Sequence, residues 1–274
     1  MTTFKEISGQ LIKSLSSDPS PATSGDMWYN STSQTLKGAV LAGVWSSAGA
    51  LNTARESGAS GSEGATQNAT FFAGGTTPYR ANSEEYNGTS WSEGNDLNTA
   101  RAQLAGAGSQ TAGLAFGGFV SPGGTQSLSE EYNGTSWVEG NNMNTARYGP
   151  AGLGSQTAAV GCAGYSTANT TLSEEYNGTS WTEGNNLNTA RYGAAGTGSQ
   201  TAGIAIGGST NTSVELYDGT NWSTGAALAT AVKQNSGSGS TSAGLSFAGK
   251  AGGTLTAATE KFSLVATTKT FTTS

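Results

Sequence analysis

Short apolar runs recur along the chain and are separated by turns rich in glycine and asparagine. Residues 111–116 alternate small and apolar side chains, which is the pattern of a buried strand. An extended stretch at 101–107 precedes this run. After it come a Glu-Glu-Tyr strand at 130–132, an Asn-Gly hairpin turn at 133–134 and a tryptophan strand at 136–138. The pattern predicts a unit of four short antiparallel strands, and the many Gly, Ser, Thr and Asn residues disfavour helix.

This unit repeats five times. Five tryptophans mark it, at spacings of 46, 46, 44 and 41 residues: Trp45, Trp91, Trp137, Trp181 and Trp222. Four units carry an arginine ten residues after the tryptophan: Arg55, Arg101, Arg147 and Arg191. A glutamate stands two residues before an aromatic in five places: Glu84, Glu130, Glu174, Glu215 and Glu260. Four strands per roughly 45 residues are typical of a propeller blade, so we predict an all-β, five-bladed β-propeller.

The two ends of the array are incomplete in complementary ways. The last unit has no tryptophan strand, and Trp45 has no Glu-x-Tyr strand before it. If Trp45 forms the outer strand of the last blade, the ring closes without an open edge. We therefore predict a propeller over 38–264, closed between 39–48 and 243–264, with an N-terminal segment at 1–37 and a C-terminal tail at 265–274.

The repeat resembles the kelch repeat. The likeness rests on the arginine near the first strand, the Glu-x-Tyr-Asn/Asp motif, the tryptophan five residues after the tyrosine, and a glycine pair after the second strand: Gly74-Gly75, Gly117-Gly118 and Gly207-Gly208. Two units depart from the pattern, since 161–164 and 248–249 replace the glycine pair and Val232 replaces the arginine. The resemblance implies a kelch-like propeller.

Residues 21–37 carry a second resemblance. They contain Pro-x-x-x-Gly-Asp-x-Trp-Tyr-Asn, which is similar to a segment of tail-fibre and virion proteins of tailed bacteriophages. Those proteins often join it to Gly/Ser-rich kelch-like arrays. The resemblance implies a virion protein, made in the host cytoplasm, with 1–37 as an extended attachment segment. Exposed apolar residues would then contact another tail or capsid protein, or form a homo-oligomer, with a trimer expected by analogy. They include Phe4, Ile7, Leu11, Trp28 and Tyr29.

Composition excludes several function classes. The net charge is −6 and the arginines are spread one per repeat, so we expect no nucleic-acid partner. The chain has no histidine, which removes the usual general base and the commonest metal ligand. The paired carboxylates at 84–85, 130–131 and 174–175 would point to opposite faces of their strands, so a pair could not act on one bond. We expect no enzymatic activity, no catalytic residue, no metal and no cofactor.

We interpret the repeated tryptophan, arginine and glutamate residues as structural. Each blade needs them, the tryptophans as apolar area and the charged residues as buried Arg–Glu pairs in a ring between blades. The variable parts are the connections between the second and third strands. They should share one face with the segments that link consecutive blades, and loops on a rigid scaffold often bind ligands. The candidate receptor-binding residues are Tyr79, Arg80, Phe119 and Tyr165, unless these loop residues only pack against neighbouring loops.

The resulting hypothesis is a non-enzymatic adhesin of the tail-fibre type that binds a host-surface glycan or protein through this loop face. Two alternatives remain open at the level of sequence. One is a purely structural decoration or adaptor protein of a capsid or tail. The other is a lectin with five equivalent sugar sites.

Overall fold

The computed structural model describes residues 13–19, 27–38, 48–66, 68–76, 78–257 and 259–263. These residues form strands and turns and contain no helix, so none of them belongs to a helix able to cross a membrane. The chain divides into two compact units, Met1–Ala48 and Gly49–Ser274.

In the first unit the described residues form a small three-stranded sheet. Its strands, in spatial order, are β1 (Lys13–Leu15), β2 (Met27–Asn30) and β3 (Thr35–Gly38). Asp18 joins them: its carboxylate accepts from Lys37 at 2.7 Å, Asn30 at 2.7 Å and the Trp28 indole at 3.0 Å. These donors lower the pKa of Asp18 to about 2. The prediction of an extended arm with Trp28 exposed is therefore wrong for the described part, because this part is a sheet in which Trp28 is buried. Phe4, Ile7 and Leu11 lie outside the described residues.

The second unit is a five-bladed β-propeller of small antiparallel sheets, as the repeat predicted. Blade I contains β4 (Ala59–Ser60), β5 (Thr70–Ala73), β6 (Ser83–Tyr86) and β7 (Trp91–Glu93). Blade II contains β8 (Ala105–Ser109), β9 (Ala112–Phe116), the side hairpin of β10 (Phe119–Val120) and β11 (Gly124–Thr125), β12 (Ser129–Tyr132) and β13 (Trp137–Glu139). Blade III contains β14 (Ala151–Ser155), β15 (Ala158–Cys162), β16 (Ser173–Tyr176) and β17 (Trp181–Glu183).

Blade IV contains β18 (Ala195–Ser199), β19 (Ala202–Ile206), β20 (Val214–Tyr217) and β21 (Trp222–Thr224). Blade V contains β22 (Ser236–Gly239), β23 (Ala243–Phe247), the side hairpin of β24 (Lys250–Ala251) and β25 (Thr254–Leu255), and β26 (Thr259–Ser263). Strands run from the centre outward in chain order, and each blade opens with a strand that faces the central cavity. The third and fourth strands of blades I to IV are joined by the Asn-Gly and Asp-Gly hairpins predicted from the sequence.

The inner strands lie unusually close together. In β8, β14 and β18 the sequence is Ala-Gly-x-Gly-Ser, so two of the five positions in each strand are glycine. A Cβ added to Gly106 would lie 2.3 Å from the Ser60 carbonyl oxygen, and one added to Gly152 would lie 2.4 Å from the Gly106 oxygen. Gly196 stands in the same relation to Gly152, also at 2.4 Å. Neighbouring inner strands therefore pack backbone against backbone.

Backbone hydrogen bonds connect the blades just before these strands. Gln103 N–H donates to Ser57 O at 2.7 Å, and Gly149 N–H donates to Gln103 O at 2.7 Å. The series continues from Gly193 to Gly149 at 2.8 Å and from Gln234 to Gly193 at 2.6 Å. All five residues have positive φ between 53° and 63°, and in the last four of them the N–H points toward the preceding blade. Four hydrogen bonds thus join the five blades in sequence order.

Farther out, the tryptophans fill the space between blades. The Trp137 ring lies 5.5 Å from the Phe71 ring of blade I, and Trp181 lies 4.9 Å from Phe116 of blade II. Tyrosine hydroxyls add a second link by donating to a glutamate of the preceding blade. These pairs are Tyr132–Glu85, Tyr176–Glu131 and Tyr217–Glu175. Trp137 and Trp181 therefore supply apolar area between blades.

Blade V has three main strands among the described residues, β22, β23 and β26. Trp45 lies outside the described residues, so closure by this residue stays a prediction. Between blades IV and V there is a gap of about 80 Å³, lined by apolar residues that include Ile204, Ile206 and Phe262. At the blade II–III interface the corresponding position holds the ring of Trp181, which contacts Phe116.

Replacing an inner-strand glycine should destabilise the propeller. Gly152→Ala places a methyl group against the Gly106 carbonyl oxygen, and we expect a loss of about 1–3 kcal/mol in the free energy of unfolding. Gly123→Ala is the control, because its Cβ would meet nothing closer than 3.6 Å. Denaturant unfolding measures both variants, and equal stabilities would contradict the backbone packing described above.

Trp45→Ala tests the closure prediction. If the indole fills the gap beside Ile204 and Phe262, its removal should cost about 3–5 kcal/mol and lower the melting temperature clearly. Leu255→Ala is the control, since Leu255 is 79% exposed. A melting curve of Trp45→Ala that matches the control would show that Trp45 does not complete blade V.

Candidate ligand-binding face

The variable connections lie on one face of the propeller, together with the segments that link consecutive blades. Backbone hydrogen bonds join the two sets: Leu97 N–H donates to Ala81 O at 2.9 Å and Met143 N–H donates to Ser127 O at 2.8 Å. We call this face the loop face. These bonds tie each of the two loops to the segment that enters the next blade.

Each blade contributes one pair of residues to the rim of the loop face. The pair combines the residue after the arginine position with the first residue of the loop that follows the second strand. Around the ring the pairs are Glu56/Thr76, Ala102/Phe119, Tyr148/Tyr165, Tyr192/Ser209 and Lys233/Lys250. The arginine is constant in four blades, yet the next position is Glu, Ala, Tyr, Tyr or Lys. The rim is therefore chemically different in every blade.

The aromatic rings of the loop face form a continuous series across blades I to IV. Ring centroids are 6.1 Å apart for Tyr79 and Phe119, 5.8 Å for Phe119 and Tyr148, and 5.1 Å for the stacked pair Tyr148 and Tyr165. Tyr192 lies 5.9 Å from Tyr148 and 6.0 Å from Tyr165. All five rings are partly exposed. We call these five residues the aromatic arc.

The structure brings together three of the four candidate binding residues and adds two that the sequence reasoning missed. Tyr79, Phe119 and Tyr165 belong to the aromatic arc. Tyr148 and Tyr192 were missed because they lie in the segments between blades, not in the loops. The variation of the residue after the constant arginine was the available signal. Burial, with the neighbouring Tyr192 and Tyr165 hydroxyls, raises the pKa of Tyr148, which keeps its own hydroxyl neutral.

Arg80 has a different environment. Its backbone N–H donates to Gly75 O at 2.9 Å, and its carbonyl accepts from Arg101 N–H at 3.1 Å. The Nε atom is buried and has no hydrogen-bond partner in the part of the chain that the structure describes. The ring contacts found for the aromatic arc do not include Arg80, so the arc alone defines the candidate surface.

The loop face surrounds the mouth of a central cavity of about 370 Å³. The cavity is lined by the inner strands of all five blades, and its side chains are mostly small and polar. Glu56, Tyr192 and Lys250 line it at the loop face. At the opposite end Ser62 crosses from blade I, because its N–H donates to Gly108 O at 3.0 Å and its Oγ donates to Gly154 O at 2.9 Å. The cavity volume lies within the range of small-molecule sites, roughly 300–1,000 Å³.

The repeated arginines and glutamates form buried ion pairs inside the blades. The pairs are Arg55–Glu84, Arg101–Glu130 at 3.0 Å, Arg147–Glu174 at 2.7 Å and Arg191–Glu215 at 3.0 Å. Both members of each pair belong to the same blade, which corrects our expectation of a ring between blades. The reason is that the arginine ends the segment that enters a blade, and the glutamate lies on the third strand of that blade. Each pair thus fixes the incoming chain to its own sheet.

The same glutamates accept backbone hydrogen bonds from the incoming segment. Glu130 accepts Asn98 N–H at 2.6 Å, and Glu174 accepts Asn144 N–H at 2.6 Å and Thr145 N–H at 3.3 Å. Blade V carries Val232 in place of arginine, and among the described residues Glu260 accepts the backbone N–H groups of Ala229 at 2.7 Å and Thr230 at 3.0 Å. The paired carboxylates thus have structural partners on both faces of their strands, arginine on one and the tyrosine of the next blade on the other.

The described residues offer neither a reactive thiol nor a cluster of metal ligands. Cys162 is fully buried, and burial raises the pKa of its thiol to about 12, so the thiolate is not formed at neutral pH. Among the described residues no three His, Cys, Asp or Glu side chains come together as metal ligands. The loop face carries aromatic rings, hydroxyls, amides, two lysines and the carboxylate of Glu56.

The chain matches no protein-family model and no curated protein. The propeller fold is therefore established by the structure itself. The likeness to kelch repeats and to bacteriophage virion proteins rests on the sequence motifs alone.

Breaking one buried ion pair should be costly, although the complete pair adds little net stability. Arg147→Val leaves the Glu174 carboxylate buried without its cation, and we expect a loss of about 3–5 kcal/mol in the free energy of unfolding. Lys261→Val, at an exposed position on β26, is the control. A loss below about 1 kcal/mol would show that the incoming segment tolerates a valine in blade III as it does in blade V.

Proposed function

We propose that this protein is a non-enzymatic binding module that holds a surface glycan on the loop face of its propeller. The observation that carries the proposal is the aromatic arc: five partly exposed rings, in contact across four blades, at the variable rim of a rigid ring. Aromatic rings pack against the C–H faces of pyranose sugars, while tyrosine hydroxyls and nearby amides bond sugar hydroxyls.

The contacts among the rings explain why such a surface would be ordered before binding. The ring of Tyr148 contacts the rings of Phe119, Tyr165 and Tyr192. The backbone of Tyr148 also forms hydrogen bonds with the backbone of Tyr165. Rings held in this way lose little conformational freedom when a ligand stacks on them, and preorganisation of this kind favours affinity.

The proposal also covers where the module works. The likeness of residues 21–37 to a segment of bacteriophage virion proteins supports display on a virion, with the N-terminal unit joined to another tail or capsid protein or to copies of itself. The ligand would then be a glycan of the host surface. The chain would act as an adhesin of the tail-fibre type, without a catalytic residue, metal or cofactor.

The alternative of a lectin with five equivalent sites is less well supported. Equivalent sites need the same residues at the same place in every blade, and the rim pairs differ in all five. The repeated side chains, in contrast, are the buried arginine and glutamate residues and the tryptophans between blades. A structural decoration protein needs no ligand, and the binding experiment separates it from an adhesin.

The test measures binding of the whole protein to an array of bacterial surface oligosaccharides. Tyr148→Ala and Tyr165→Ala should each weaken binding about tenfold or more, since each removes one ring on which the sugar stacks. Tyr148→Phe keeps the ring and should retain most of the affinity. Val138→Ala is the matched control, because Val138 is exposed on β13 away from the loop face.

Melting temperatures of all four variants verify that folding is intact. Binding that is lost in Tyr148→Ala and Tyr165→Ala but kept in Tyr148→Phe and Val138→Ala supports the proposal. An array without any bound glycan, or binding that the two alanine variants leave unchanged, contradicts it and favours the structural protein.

A further inference from the structure

Two lysines stand directly opposite each other at the blade V end of the rim. Lys233 N–H donates to Lys250 O at 3.0 Å, and Lys250 N–H donates to Lys233 O at 2.9 Å. Residues that exchange both hydrogen bonds across an antiparallel pair point their side chains to the same side, with Cβ atoms about 4.5–5.5 Å apart. The two lysine side chains therefore leave the backbone at one spot on the loop face.

Neither lysine has a carboxylate within ion-pair distance among the described residues. The ion pairs found there are Lys37–Asp18 and the four buried Arg–Glu pairs. Like charges directly opposite each other in a sheet repel and are destabilising. An anion placed between them would remove that repulsion and form charge-assisted hydrogen bonds with both. This cationic pair stands out on a chain whose net charge is −6.

The lysine pair continues the aromatic arc. The Lys233 Nζ lies 5.7 Å from the centre of the Tyr192 ring and 3.5 Å from the Tyr192 hydroxyl oxygen. Tyr192 is the last ring of the arc, and both Tyr192 and Lys250 line the central cavity. A sugar stacked on Tyr165 and Tyr192 would thus have its substituents within reach of two ammonium groups. Glu56 of blade I lines the same cavity as Lys250, but it forms no ion pair with either lysine among the described residues.

We infer that the ligand of the aromatic arc is an acidic glycan, one whose carboxylated sugar binds with its carboxylate at Lys233 and Lys250. This inference rests on the proposed function, because it assigns the chemical class of the ligand to the same surface. The carboxylate would accept hydrogen bonds from the two ammonium groups and from the Tyr192 hydroxyl. The neutral sugars that follow it would lie along Tyr165 and Tyr148.

The experiment compares three probes by titration with the full chain: an oligosaccharide of uronic acids, the same oligosaccharide after reduction of its carboxyl groups to alcohols, and inorganic phosphate. The uronate should bind at least about tenfold more tightly than the reduced form, and its affinity should fall as salt is raised. Lys233→Gln and Lys250→Gln should each remove most of that difference. Lys261→Gln is the control, since it deletes the same charge at an exposed position on β26 of the same blade.

The outcomes separate this inference from the proposed function. Tighter binding of the uronate that Lys233→Gln or Lys250→Gln abolishes, with Lys261→Gln unchanged, supports the inference. Equal binding of the uronate and its reduced form overturns it and leaves glycan binding by the arc intact. Phosphate binding as tight as uronate binding overturns it in favour of a simple anion site. If neither oligosaccharide binds, the inference fails, and an empty surface array would extend that failure to the proposed function.

Discussion

Close backbone packing around the centre is the constraint on which the whole propeller depends. Five blades form a narrow ring, so the inner strands approach until a single methyl group on Gly106 or Gly152 would overlap a neighbouring carbonyl oxygen. The positive φ angles at Gln103, Gly149, Gly193 and Gln234 then direct one N–H of blades II to V toward the blade before it. Close packing and these hydrogen bonds set the distance between blades, and every contact farther out follows from that distance.

The residues that repeat in each blade hold the ring together, whereas the residues that vary between blades lie on the rim of the loop face. Arg147 and Glu174 anchor the incoming chain to the sheet of blade III, while Trp181 and Tyr176 connect that sheet to blade II. These side chains are buried, so they offer nothing to a ligand at the surface. Tyr148, the residue directly after Arg147, is partly exposed and contacts three other rings. One repeat therefore carries structural and variable positions side by side without conflict.

Much of the candidate site could be predicted from the sequence, and the part that could not depends on three-dimensional contacts. Tyr79, Phe119 and Tyr165 were predictable because they occupy connections that differ in length and composition. Tyr148 and Tyr192 were missed because they belong to segments that otherwise repeat closely, where only the residue after the arginine position varies. Arg80 was predicted on the same grounds as its neighbour Tyr79. In the structure its Nε atom is buried and its backbone bonds to Gly75 and Arg101, so it does not belong to the aromatic arc. The opposition of Lys233 and Lys250, 17 residues apart along the chain, follows from pairing in the folded blade.

By itself the sequence determined the fold class, the number of blades, the four-strand unit and its hairpins. A repeat that cannot bury its own apolar face must stack on its neighbours, so a period of about 45 residues with four strand patterns leaves little freedom of architecture. Only the tertiary structure decided that each Arg–Glu pair lies within a blade, that the inner strands touch through their backbones, and that rings from four blades form one surface. These features depend on distances between blades, and a sequence pattern specifies which residues repeat but not how far apart the folded repeats stand.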